Sequence, residues 1–128
     1  MIYSQETNKS ILTIKEDIAT KAKEQGFGIL KEYSFKSLLK EKGFPIEKDI
    51  TVFELCDPVA AQVALSMHPE ISVYLPCRLS LYQDNGKTVL STIGIEDILS
   101  ALEVDDSFKE HMDEIFSRLK ALINSCTY

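Results

Sequence analysis

The sequence predicts a single compact α+β domain with a mainly antiparallel sheet. Helices are expected on one face, and dimerisation is expected to cover part of the other. Three observations carry this prediction. Helical and strand-like segments interleave through short connections, which favours an antiparallel sheet over a doubly wound parallel one. Asp84-Asn85-Gly86 separates two apolar-rich runs and is the strongest hairpin signal in the chain, because Asn-Gly accepts the positive φ angles of a type I′ turn. With Asn85-Gly86 as the loop, Leu79, Leu81 and Leu90 fall on one face of that hairpin and Tyr82, Val89 and Ile93 on the other. Helices on one side leave the second set bare. A second copy of the chain is the simplest cover, since a two-fold contact needs only one self-complementary patch.

The elements follow in order. Met1 to Thr7 reads as a short strand. Asn8 or Ser10 can cap a helix from Lys9 to Gln25, whose stripe is Ile11, Ile14, Ile18 and Ala22. Gly26 ends it, because glycine enters the left-handed conformation at little cost. Phe27 to Ser34 is a strand, with Gly28 at a bulge or a close backbone approach. Phe35 to Lys42 is a two-turn helix with Leu38 and Leu39 inward, stopped by Gly43 and Pro45. Asp49 to Cys56 carries apolar residues on both faces and reads as a central strand. Asp57-Pro58 starts a helix to Met67, the Asp as cap and the Pro at the first position. That helix is so apolar that it is expected to be well buried. His68 is expected at its end, beside the last carbonyls. Cys77 to Gln83 and Lys87 to Ile93 form the hairpin. Gly94 to Leu102 is a short helix, and Ser107 to Asn124 a longer one capped by Asp105 or Asp106. His111 on that helix lies beside Glu110 and Asp113, an arrangement that suggests a surface ion pair. Cys126 falls beyond the helix and is expected to be exposed.

Composition bounds the function. A chain of 128 residues is one domain, 1–128, and its 45% hydrophobic content suits a folded globule. The net charge of −6 counts against nucleic-acid binding, which depends on neutralising phosphates. No apolar run reaches about 18 residues, so no membrane-spanning helix is expected. The first residues lack the pattern of a signal peptide, which points to the cytoplasm. Three cysteines, an odd number, do not look like a disulfide framework.

The candidate site lies where the chain changes direction. Cys56 precedes a helix whose first-turn amides and dipole favour a thiolate, although Asp57 beside it opposes this. Cys77 follows the Leu75-Pro76 bend and starts a strand. If the sheet brings those strand ends together, the two thiols can meet. No phosphate loop, nucleophile elbow, His-Glu-x-x-His or paired-carboxylate motif is present, so no catalytic residue is assigned and no cofactor is indicated. Two thiols without Cys-x-x-Cys do not complete a structural zinc site. The bland alternative is that both cysteines are small buried hydrophobes.

Phe27-Gly28-Ile29-Leu30, Leu39-Lys40-Glu41-Lys42, Cys56-Asp57-Pro58, Pro69-Glu70-Ile71, Leu75-Pro76-Cys77 and Asp84-Asn85-Gly86-Lys87-Thr88-Val89 occur in an order that resembles the bacterial and archaeal domain-of-unknown-function 302 family. The likeness runs from about Thr7 into the last helix. It implies a compact α+β fold and a homodimer, and it brings no activity. Cys56 matches the cysteine of the family's Cys-Asn-Pro pattern, and Cys77 that of its Leu-Pro-Cys pattern. Asp57 and Arg78 stand where the family usually has Asn, which would permit an Asp57–Arg78 ion pair. The expected function is a homodimer that binds a small ligand near Cys56, Asp57, Cys77 and Arg78. The alternative is thiol-dependent redox, sulfur-transfer or metal-handling chemistry at Cys56 and Cys77.

Overall fold

The computed structural model describes residues 1–100 and 102–128. The strands are β1 (Ile2–Thr7), β2 (Gly28–Ser34), β3 (Ile50–Cys56), β4 (Cys77–Asp84) and β5 (Lys87–Ile93). The helices are α1 (Ile11–Glu24), α2 (Phe35–Glu41), α3 (Pro58–Met67), α4 (Ile95–Ser100) and α5 (Asp106–Thr127), with a 3-10 turn at Pro69–Val73. The sheet has five strands in the order β1-β5-β4-β3-β2, and every neighbouring pair is antiparallel. The helix expected over Gly94 to Leu102 is described from Ile95 to Ser100; Ala101 lies outside the described residues.

Local chemistry explains the punctuation. Ser10 accepts the Thr13 amide at 3.1 Å and caps α1. At its other end Gly26 has φ +84°, with its amide on the Lys23 carbonyl and the Phe27 amide on that of Ala22. This is the glycine-terminated helix end that satisfies the last carbonyls. Asn85 and Gly86 both have positive φ, so Asp84 pairs with Lys87 and Leu81 with Leu90 as the turn type requires.

Register sorts the two faces, because directly opposed residues share a side. Thr51–Leu81, Phe53–Leu79 and Leu81–Leu90 lie on the covered side. There they meet Ile14, Ile18 and Ala22 of α1 and Phe108, Met112 and Leu119 of α5 in one core. The opposite side carries Glu54–Arg78, Val52–Ser80, Tyr82–Val89 and Ile2–Ile93. A groove of about 560 Å³ crosses that side, bordered by Ile2, Val52, Tyr74, Arg78, Ser80 and Ile93. Among the described residues, no helix is long and apolar enough to cross a membrane.

Five local expectations need correction. The helix α3 is not well buried: only Ala60 and Ala64 are, whereas Val59 is 73% exposed and Val63, Leu65 and Met67 are also open. Only its alanine edge faces inward, and a methyl group reaches too little to draw the other residues under cover. Cys126 is buried rather than exposed, because α5 continues to Thr127 and Leu119, Leu122, Ile123 and Cys126 extend one stripe. His111 is not a surface ion pair; it is half-buried, with Nε2 3.2 Å from the Ala60 carbonyl of α3. Leu38 and Leu39 are half-buried, since α2 has no fully buried residue. The irregularity in β2 falls between Ile29 and Lys31, and Gly28 pairs regularly with Cys56.

Candidate functional site

The site forms where β3 ends and β4 begins. Leu55 stands directly opposite Cys77, so Cys56 is one residue off register from it. Past Cys56 the chain turns into α3. The Asp57 side chain accepts the Val59 and Ala60 amides at 3.1 and 3.2 Å, and Pro58 takes the first helical position. The Leu75–Pro76 peptide is cis and leads into Cys77.

Beneath α3 lies a cavity of about 250 Å³. Ala60, Ala61, Ala64 and Leu65 form the side toward α3. Phe27, Leu55, Leu75 and Pro76 supply further apolar wall, and Met112 and Ile115 close it from α5. Cys56, Asp57 and Cys77 also line it. The cavity follows from the sequence of α3: small side chains on the inward edge leave space that leucines would fill.

Three of the four expected site residues are therefore at one cavity, and Arg78 is not. Its side chain is on the opposite side of the sheet, with Nη2 4.0 Å from Glu54 Oε2. Strand alternation is the reason: Arg78 points away from Cys77's face, and by the same alternation Cys56, the neighbour of Leu55, falls on Arg78's face, at the last residue of β3 where the chain turns into α3. The expected Asp57–Arg78 ion pair is accordingly absent. Asp57 pairs instead with Arg118 of α5, whose Nη1 donates to Oδ2 at 2.8 Å.

Arg118 was not singled out by sequence reasoning. It also donates to the Gln25 carbonyl and to Glu114, and its guanidinium lies over the Phe27 ring. One side chain thus joins the end of α1, the start of α3 and α5. A side chain at residue 26 would meet it: a Cβ built on Gly26 comes within 2.7 Å of Nη1. The available signal was slight, an Arg four residues after Glu114 on a helix otherwise bearing Lys.

Electrostatics separate the groups. Burial would raise the Asp57 carboxyl, but hydrogen bonds from the Ala60 amide and Arg118, with the charge of Arg118, outweigh it and hold the carboxyl below its usual value. Burial pushes the Cys77 thiol up to about 11; the nearby Cys56 adds to this and Arg118 opposes it. Cys77 is therefore a neutral thiol at neutral pH, unsuited to act as a nucleophile without a proton acceptor. Cys56, Cys77 and Cys126 are all free. Among the described residues, no group of three or more His, Cys, Asp or Glu side chains is placed to hold a metal ion. His68 caps the end of α3 as expected, its amide on the Ala64 carbonyl and its ring edge-on to Phe108.

Fold and site together define a small single-domain α+β protein with an apolar cavity, bordered by Cys56 and Cys77, at the ends of two adjacent strands. The chain belongs to the family described as Domain of unknown function DUF302, whose model matches residues 3–126. It is also similar to the crystal structure of an uncharacterized conserved protein DUF302 from Bacillus stearothermophilus. The identity is 27%, over 98% of this chain and 97% of that one, with a TM-score of 0.89. No curated protein matches the chain.

Proposed function

We propose that this is a cytoplasmic homodimer that binds a small ligand in the cavity beneath α3, beside Cys56, Asp57 and Cys77. The observation that carries the reading is the cavity itself: about 250 Å³, walled mainly by hydrocarbon, with Cys56 and Cys77 among the residues around it. Ligand sites are commonly such apolar hollows with a few polar groups. Arg78 is left out of the ligand site, because it faces the other side of the sheet. That other side is assigned to the dimer: Ile2, Val52, Tyr82 and Ile93 give it apolar surface. The free state of all three cysteines supports a reducing compartment. The net charge of −6 supports partners other than nucleic acid.

The second reading, thiol chemistry at Cys56 and Cys77, is favoured by their shared cavity. A nucleophilic role is disfavoured for Cys77 by the burial that keeps it protonated.

Native mass spectrometry with benzene, indole and 1-butanol as probes tests the cavity. The native chain should take up one probe molecule per protomer. Replacing the buried Ala64 by Phe should abolish uptake while the fold persists. Uptake undiminished in Ala64→Phe would show that the ligand site lies elsewhere.

A further inference from the structure

The cavity beneath α3 has a volume of about 250 Å³ and walls made mainly of hydrocarbon. A cavity of about 150 Å³ holds benzene, so this one has room for about ten non-hydrogen atoms. Among the described residues, Asp57 is the one charged residue on its border. Ser72 and the two cysteines are the other polar side chains there.

Both oxygens of Asp57 are engaged. Oδ1 accepts the Val59 and Ala60 amides at 3.1 and 3.2 Å, and Oδ2 accepts Arg118 Nη1 at 2.8 Å. Arg118 is not on the cavity border, and it is tied as well to Glu114 and to the Gln25 carbonyl. A guest therefore meets a carboxylate whose charge Arg118 already matches.

We propose that this cavity takes uncharged apolar molecules of up to about ten non-hydrogen atoms, and that Asp57 sets the selection against anions. The inference rests on the cavity being a ligand site and names its class of ligand. Charge decides between guests. An anion loses its hydration among hydrocarbon and faces Asp57, with no Lys or Arg on the border to receive it. A cation loses its hydration too and can gain Asp57 only by taking it from Arg118. A neutral guest incurs neither cost, and the Ser72 hydroxyl can still bond to it. Burial keeps Cys77 a neutral thiol, so it adds no charge to the wall.

Replacing Asp57 by Asn changes the balance for anions. The helix cap persists, since Asn caps about as well as Asp. The Arg118 guanidinium then loses one of its two carboxylate partners, and its positive field reaches the cavity unopposed by Asp57.

Isothermal titration calorimetry of the whole protein with nitrobenzene, benzoate and benzamidinium tests this. The three share a planar skeleton and atom count and differ chiefly in charge. The native chain should bind nitrobenzene, and each ion at least about tenfold more weakly. In Asp57→Asn the ratio of benzoate to nitrobenzene affinity should rise about tenfold, while the ratio for benzamidinium should not rise. Glu41→Gln removes the same charge from exposed α2, at the other end of β2 from Gly28 and Cys56, and should leave both ratios unchanged. Benzoate or benzamidinium bound by the native chain as tightly as nitrobenzene would overturn the proposal. So would a benzoate ratio unmoved in Asp57→Asn. Either result, with nitrobenzene uptake lost in Ala64→Phe, spares the cavity reading. Nitrobenzene uptake that persists in Ala64→Phe, or no uptake of any probe, would remove that reading and this inference with it.

Discussion

At the scale of single residues, the account turns on which charges face which. Asp57 is the clearest case. Its side chain both caps α3 and receives Arg118, and these bonds to the ionised form hold its pKa below the ordinary 3.8. A carboxyl lowered on folding stabilises the native state above its unfolded pKa, and that contribution is lost as pH falls through the folded value. The helix cap survives in Asp57→Asn, since Asn caps about as well as Asp, but the ion pair does not. Asp57→Asn is therefore expected to lower the unfolding free energy by about 1–3 kcal/mol at pH 7. The deficit should shrink below pH 3.8, where the native carboxyl begins to protonate as well. Urea denaturation across pH checks this; a deficit constant down to pH 2 would mean the ion pair contributes nothing. Sequence showed Asp57 as a cap, because the Asp-Pro pair is local. It could not show Arg118 as its partner, because the two lie 61 residues apart and nothing local links them. Alternation along β4 was legible, and applied strictly it separates Arg78 from Cys77.

At the scale of elements, α3 is where pattern reading went furthest wrong and where the site arises. A run of Val, Ala and Leu was read as burial. The structure turns only the alanine edge inward and leaves Val59, Val63 and Met67, spaced four apart, along an open stripe. Hydrophobic content fixes neither how closely a helix approaches a sheet nor which stripe faces it. Two substitutions separate the sides. Ala64→Leu places three more carbons over free space and should raise stability by about 0.5–2 kcal/mol, as cavity filling does. Val63→Lys on the outer stripe should change the stability of the protomer by less than about 0.5 kcal/mol. Thermal or urea unfolding reads both. A loss of about 1–3 kcal/mol in Ala64→Leu, the usual cost of overpacking, would contradict a cavity at that place. By contrast, the hairpin was legible almost to the residue, α1 to within two residues, and α5 at its start though not at its end, where it runs on to Thr127. Ser10, Gly26, Asn85-Gly86 and Asp105 mark their bounds by local hydrogen bonding and φ preference.

At the scale of the whole molecule, a one-sided α+β sheet was predictable from the interleaved elements and the two-faced hairpin. The strand order, with β4 at the centre and β1 beside β5, was not, because it depends on pairings distant in sequence. The proposed dimer uses the open face. Sedimentation equilibrium should give twice the 14.4 kDa mass of one chain. Tyr82→Glu, which brings charge to the middle of that face, should return the mass to one chain. A dimer broken by Val63→Lys but indifferent to Tyr82→Glu would move the contact to α3. That change would leave the cavity reading untouched.

The central claim is that the thiols of Cys56 and Cys77 reach the same space, and phenylarsine oxide tests it most directly. One arsenic forms two As–S bonds with a close pair of thiols and releases one water. Mass spectrometry of the native protein should show one arsenical per chain, lost in Cys56→Ser and in Cys77→Ser and kept in Cys126→Ser. An unmodified native chain, or an adduct that survives either of the first two substitutions, would contradict the claim.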